Sequence, residues 1–86
     1  MYVILVYDIG EKRVAKMLKL CRKYLMWVQN SVFEGEISEI KLKELIMKAK
    51  NFMNPDDSII LFKHASQVYL DKEIIGREIS STDTFL

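Results

Sequence analysis

The chain has 86 residues, enough for one small domain, and half of them are hydrophobic, enough for a packed core. Thirteen Lys and Arg stand against twelve Asp and Glu, so the net charge of +1 excludes any argument about partners from bulk charge and leaves it to charge distribution. The single cysteine, Cys21, excludes an intramolecular disulfide and fits a reducing, cytoplasmic setting, and no run approaches the roughly 18 apolar residues of a membrane span. The opening residues lack the basic segment and small-residue cleavage site of a signal peptide, so neither secretion nor a membrane partner is expected.

The chain opens MYVILVYDIG. Tyr2 to Tyr7 is unbroken apolar or aromatic sequence, short and rich in β-branched residues, which predicts a strand buried on both faces. Asp8 then falls at the carboxyl end of that strand, and Gly10 permits a sharp turn.

Residues 11–25 predict an amphipathic helix. Val14, Met17, Leu18, Cys21 and Leu25 recur at i, i+3, i+4, i+7 and i+11. Lys12, Lys16, Lys19 and Lys23 repeat that spacing on the opposite face, with Arg13 and Arg22 between the stripes. These six hold nearly half of the chain's basic residues, and positions 12–23 contain no acid. A solvated face usually mixes signs. Two readings therefore stand side by side, an ordinary solvated face and a polyanion-binding face. Cys21 belongs to the apolar stripe and reads as core rather than as a reactive thiol.

Residues 26–37, MWVQNSVFEGEI, are extended in character, as one bent strand or as two short strands meeting near Asn30 and Ser31. Gly35 suggests a bulge or a close backbone approach. Ser38 is a suitable N-cap for a second helix, with Glu39 at the positive end of its dipole. Leu42, Leu45, Ile46, Ala49 and Met53 form its apolar stripe, and Asn54-Pro55-Asp56-Asp57 turns the chain. SIILFKH, residues 58–64, predicts a second strongly apolar strand, and residues 68–75 a third candidate. Residues 78–86 read as a tail that needs something to pair with.

This order predicts an α/β (α+β) sandwich of one domain, residues 1–86, in which two helices cover one face of an antiparallel sheet. They cannot cover both faces, yet the first strand is apolar in both directions. A homodimer with sheets face to face satisfies that surplus, with the 78–86 tail pairing on the other subunit.

The chemistry-bearing residues are few. Asp8-x-x-Glu11 has the shape of a capping box, and on the residues alone a cap is preferred for Asp8 over a metal ligand. A single carboxylate is a sparse Mg²⁺ site, but a two-fold dimer supplies two copies of Asp8. His64 reads as structural or as surface, since no nucleophile can be paired with it. No Cys/His cluster spells zinc, and Gly10, Gly35 and Gly76 are isolated, so none forms a phosphate cradle. Tyr7, Trp27 and Phe33 are aromatics able to stack on bases, although strand aromatics belong more often to the core.

VYDI before a basic helix, VQNSVFEG after it and DSIILFK further on resemble the small CRISPR-associated adaptation protein, the second Cas protein. The resemblance runs over nearly the whole chain, and VQ-x-SVFEG at this distance from YDI is its most specific part. It implies a ferredoxin-like sandwich with a C-terminal strand that packs on the partner subunit, and a homodimer. It also implies a role in antiviral defence, in which the dimer bridges the larger CRISPR adaptation integrase and binds the incoming DNA. It further implies an endonuclease acting on RNA or DNA with Mg²⁺ (or Mn²⁺), whose metal-binding, catalytic aspartate matches Asp8. Tyr7, Ser31 and Phe33 match the supporting motif positions. Where many members carry an arginine before VQ, this chain has Trp27. Where members carry two arginines early in the helix, Lys12 and Arg13 stand nearest, and lysine holds phosphate as a point charge.

The expected function is thus a nucleic-acid-binding spacer-acquisition subunit with implied metal-dependent cleavage, and Lys12, Arg13, Lys16, Lys19, Arg22 and Lys23 as the nucleic-acid-binding residues. The alternative is a ferredoxin-like regulatory dimer that binds a small ligand.

Overall fold

The computed structural model describes residues 1–66, 71 and 73–76. Its elements are β1 (Tyr2–Asp8), α1 (Glu11–Cys21), β2 (Met26–Gln29), β3 (Val32–Glu36), α2 (Glu39–Lys50) and β4 (Ser58–His64). The strands form one sheet in the order β2-β3-β1-β4, with every described pairing antiparallel. This is the ferredoxin-like βαββαβ arrangement, with β1 and β3 inside the sheet. Of the strand expected over 68–75, residues 68–70 and 72 lie outside the described residues, while 71 and 73–75 belong to no strand; the 78–86 tail lies wholly outside.

Alternation along β1 decides what each face does. Val3, Leu5 and Tyr7 point under the helices and join Phe33, Met17, Cys21, Leu45 and Ala49 in the core. Ile4, Val6 and Asp8 point the other way. Through the β1–β4 register, Phe62 lies beside Ile4, Ile60 beside Val6 and Ser58 beside Asp8. Ile60 and Phe62 remain more than half exposed on that face. Tyr2 and Glu34, which share it, are buried.

Three local features differ from the sequence reading or sharpen it. First, α1 stops at Cys21, short of Leu25. The Lys23 amide turns back to the Leu20 carbonyl (3.1 Å) and the Tyr24 amide to that of Cys21 (3.0 Å), which tightens the chain out of the helix. The apolar spacing ran on because Leu25 is also buried, just ahead of β2.

Second, residues 26–37 are two strands joined by a turn at Asn30 and Ser31. Asn30 takes a left-handed φ of 42°, which asparagine tolerates better than most residues. The irregularity expected at Gly35 falls instead between Trp27 and Gln29, where the β2–β3 register shifts. Gly35 serves the close approach: a Cβ there would stand 3.3 Å from Leu25 Cδ2.

Third, α2 begins as expected, with Ser38 Oγ accepting from the Lys41 amide at 3.1 Å. Tyr24 Oη then donates to Glu44 at 2.5 Å and ties the exit of α1 to α2. That bond, helped by Lys41 and Lys48, holds the Glu44 carboxyl below its ordinary range.

Candidate functional site

Asp8 ends β1 with its carboxylate exposed. It makes no side-chain hydrogen bond or ion pair among the described residues. The capping role preferred from the residues alone is not what the structure shows. The N-cap of α1 is Gly10, with no cap from a neighbouring side chain. Asp8 remains in the ladder opposite Ser58, so its backbone direction is set by the sheet.

The start of α1 is secured by a residue distant in sequence, Asp57. Its Oδ1 accepts from the Gly10 amide (2.9 Å) and from Arg13 Nη2 (2.9 Å). Its Oδ2 accepts from Arg13 Nε (2.7 Å) and from the Asn54 amide (2.9 Å). The Asp57 side chain is only 3% exposed, and these bonds hold its carboxyl well below the usual carboxylate range, the Arg13 bonds most strongly. With the Asn54 amide oxygen turned toward Arg13, it accepts from Nη1 and Nη2 at 3.0 and 3.2 Å. One carboxylate thus binds the turn after Asp8, the first turn of α1 and the turn before β4.

Gly10 belongs to this arrangement for a reason other than the one its turn suggested. Its φ of −60° is open to any residue. What it lacks is a side chain where the Arg13 guanidinium folds back: a Cβ there would collide with Nη2. Gly10→Ala is therefore expected to displace Arg13 from Asp57 and lower Tm in thermal unfolding. Placing Arg13→Gln on top of it should then add little, because the shared bond is already lost.

Around Asp8 the chain forms a shallow hollow of about 430 Å³, lined by Tyr7, Asp8, Ile9, Val14, Leu18, Trp27, Asn30 and Ser31. Three of the expected motif residues, Tyr7, Asp8 and Ser31, meet here. The Tyr7 amide donates to the Ser31 carbonyl at 3.1 Å and fixes the β2–β3 turn against β1. Phe33 does not reach the hollow. It is fully buried beneath, its ring stacked on that of Tyr7 at 6.0 Å and 27°. Burial raises the Tyr7 phenol, with Cys21 adding to it. Trp27 donates from Nε1 to the Asn30 carbonyl at 2.8 Å, and the Arg22 guanidinium lies 5.6 Å over its ring.

The six expected nucleic-acid-binding cations do not act alike. Arg13 is taken up by Asp57. Arg22 faces Trp27, on the Asp8 side of α1. Lys16, Lys19 and Lys23 line a separate groove against α2, where Lys48 joins them. Lys12 stays exposed near the start of α1. Cys21 is fully buried and its thiol is pushed up to about 12 by burial, which suits core packing. His64 is half-buried, with Nδ1 within reach of the Ser66 backbone.

The sequence reading missed Asp57 and Lys48. Asp57 looked like a turn residue, and Asp56 beside it has the same chemistry. Its one available signal was its place directly before an apolar strand. No group of three or more His, Cys, Asp or Glu gathers to hold a metal among the described residues.

The family model for CRISPR associated protein Cas2 matches residues 1–71. The chain belongs to the Cas2 family. A protein of Thermotoga maritima named CRISPR-associated endoribonuclease Cas2 is 48% identical over 79 residues, covering 91% of this chain and 91% of the relative. One of the same name from Dictyoglomus turgidum is 40% identical over 87 residues and covers both chains fully. A crystal structure of a Cas2 protein superposes with a TM-score of 0.85 at 44% identity, over 93% of this chain and 91% of that one. The YDI, VQNSVFEG and DSIILFK segments quoted from the sequence all fall within the part matched as Cas2.

Proposed function

We propose that this Cas2 chain works as a homodimer joined through the sheet face opposite its helices, that it binds nucleic acid and bridges the larger CRISPR adaptation integrase, and that Asp8 serves phosphodiester cleavage with Mg²⁺ or Mn²⁺. The observation that carries this reading is the place of Asp8. Its exposed carboxylate ends the central strand on the same face as Ile4, Val6, Ile60 and Phe62. Pairing two such faces brings two copies of Asp8 toward one another. The relatives' name, endoribonuclease, supports the cleavage part.

The residues present suit such an ion. Mg²⁺ takes one or two carboxylates, with water and substrate phosphate supplying the remaining oxygens. Asp8 offers one carboxylate per chain, and Asn30 and Ser31 bring neutral oxygens to the same hollow. When bound, the ion supplies Lewis acidity toward the phosphodiester oxygens and the attacking water. The chain's own part is positional. The β1–β4 ladder and Asp57 hold the backbone on either side of Asp8. The Arg22–Trp27 pair sets a cation and an aromatic face beside the hollow, where a strand's phosphate and base can rest.

Asp8→Asn tests the reading, assayed for both cleavage and support of integration. Cleavage is expected to require Mg²⁺ or Mn²⁺, to rise with pH and to be abolished by the exchange, with the fold intact by circular dichroism. Cleavage that survives Asp8→Asn removes Asp8 from catalysis. A wild type that never cleaves but supports integration leaves bridging alone as the function.

A further inference from the structure

The groove between α1 and α2 lies on the other side of α1 from the Asp8 hollow. Lys16, Lys19, Lys23 and Lys48 line it, and Asn51, Leu20 and Phe52 complete its wall, enclosing about 380 Å³. In a chain of net charge +1, four lysines on one groove are a local concentration. Lys16 Nζ stands 4.9 Å over the Phe52 ring. Lys48 is 3.8 Å from Glu44 and 5.7 Å over the Tyr24 ring. Lys19 and Lys23 are exposed, and their side chains make no ion pair or hydrogen bond among the described residues.

We propose that this groove is a second nucleic-acid site, one that takes a short single-stranded segment by two or three successive phosphates, with a base against Leu20 and Phe52. The proposal rests on the reading that the chain binds nucleic acid, and it names where and in what form.

Three observations favour that ligand. The cations are all ammonium groups, which hold phosphates as point charges without demanding a fixed bidentate geometry. Lys16 and Lys19 stand about 4.5 Å apart along the α1 axis and Lys23 follows two residues beyond the end of the helix, so the cations are spread along the groove as successive backbone phosphates require. Packed helices stand only about 8–10 Å apart, so the valley between them admits one strand, while a duplex would touch its rims alone.

A protein partner fits less well, because docking usually needs exposed apolar anchors. The exposed large apolar residues, such as Met47, Ile60 and Phe62, lie elsewhere, and Leu20 and Phe52 are half-buried. The hollow between α2 and β4, lined by Met47, Ile46 and Leu61 with Lys43, Lys50 and Lys63 around them, has the more apolar character.

The test uses the full chain and a fluorescent oligothymidylate of eight nucleotides, which forms no duplex, with anisotropy read across a salt series. Lys19→Gln with Lys23→Gln keeps a good helix former at position 19 and is expected to weaken binding at least about tenfold. It should also lower the log–log salt slope by about 1.4, two contacts at about 0.7 each for single strands. Lys43→Gln with Lys50→Gln removes the same charge from the α2–β4 hollow and should leave the slope unchanged. Equal losses in both double variants mean diffuse attraction and overturn the groove. Unchanged binding in the first variant also overturns it, while binding by the wild type would still support the broader nucleic-acid reading. A wild type that binds no nucleic acid overturns both. Inorganic polyphosphate competing as well as unlabelled oligothymidylate would show that the base makes no contact and overturn the strand assignment.

Discussion

Asp57→Ala is expected to lower Tm by on the order of 10 °C. The exchange removes a nearly buried carboxylate and leaves four donors, the Gly10 and Asn54 amides and two Arg13 nitrogens, without their acceptor. Arg13 then sits as a half-buried cation with its charge partner gone. Asp57→Asn separates charge from shape, since it retains one acceptor oxygen. The pH dependence has a defined sign. The folded-state carboxyl of Asp57 is depressed, so its stabilisation is fully present above the unfolded aspartate value of about 3.9 and is lost as pH falls below it. The Tm gap between wild type and Asp57→Asn should therefore be constant near neutral pH and narrow steadily in acid. A gap that is the same at pH 7 and pH 2.5 would show that the charge contributes nothing.

The second large effect concerns assembly. If the sheet faces pair as proposed, a double variant, Ile60→Asp with Phe62→Asp, is expected to sediment as a monomer at concentrations where the wild type sediments as a dimer. Burying side chains of this size is worth about 1.5–3 kcal/mol each. A two-fold interface counts each side chain twice, so the dimer should weaken by at least about a hundredfold. Ile40→Asp supplies the control. Ile40 is 79% exposed, more than either target, but it lies on α2, away from this face. A dimer that resists the double variant, or one disrupted equally by Ile40→Asp, would place the interface elsewhere.

How far the sequence could be read follows from the range of the interactions. β1 and β4 were legible because their signal is local, an unbroken apolar run of six residues from Tyr2 to Tyr7 in one and of four from Ile59 to Phe62 in the other. The start of α2 was legible because Ser38 bonds to an amide only three residues away. Asp8 was placed correctly at the end of its strand, but its proposed capping role was not found. The group that fills that role comes from 47 residues away and leaves no local pattern. A separation of 44 residues likewise hid the commitment of Arg13, which in the linear sequence stands among lysines of the same charge. The grouping of Lys48 with Lys16, Lys19 and Lys23 depends on how two helices pack, and neither helix announces it alone. The end of α1 was overrun because Leu25 continues the spacing of a helix the chain has already left.

The sheet order has a consequence for how the molecule comes into being. β2 and β3 are separated by two residues and can pair as soon as both exist, and the backbone bonds of each helix join residues only a few positions apart. β1 has no such neighbour. Its partner at Tyr2 is His64, and its partner at Asp8 is Ser58, so its outer ladder closes a loop of about fifty residues or more. Long-range pairing of this kind is slow, and until it happens an apolar strand lies open to other chains. The expected order is therefore the hairpin and helices first and the β1–β4 zipper last. The Asp57 bonds to Gly10 and Arg13, which span the same long loop, close with it. Asp8 reaches its place only in that last step, so a partly folded chain has its helices and its cations but not its candidate catalytic centre.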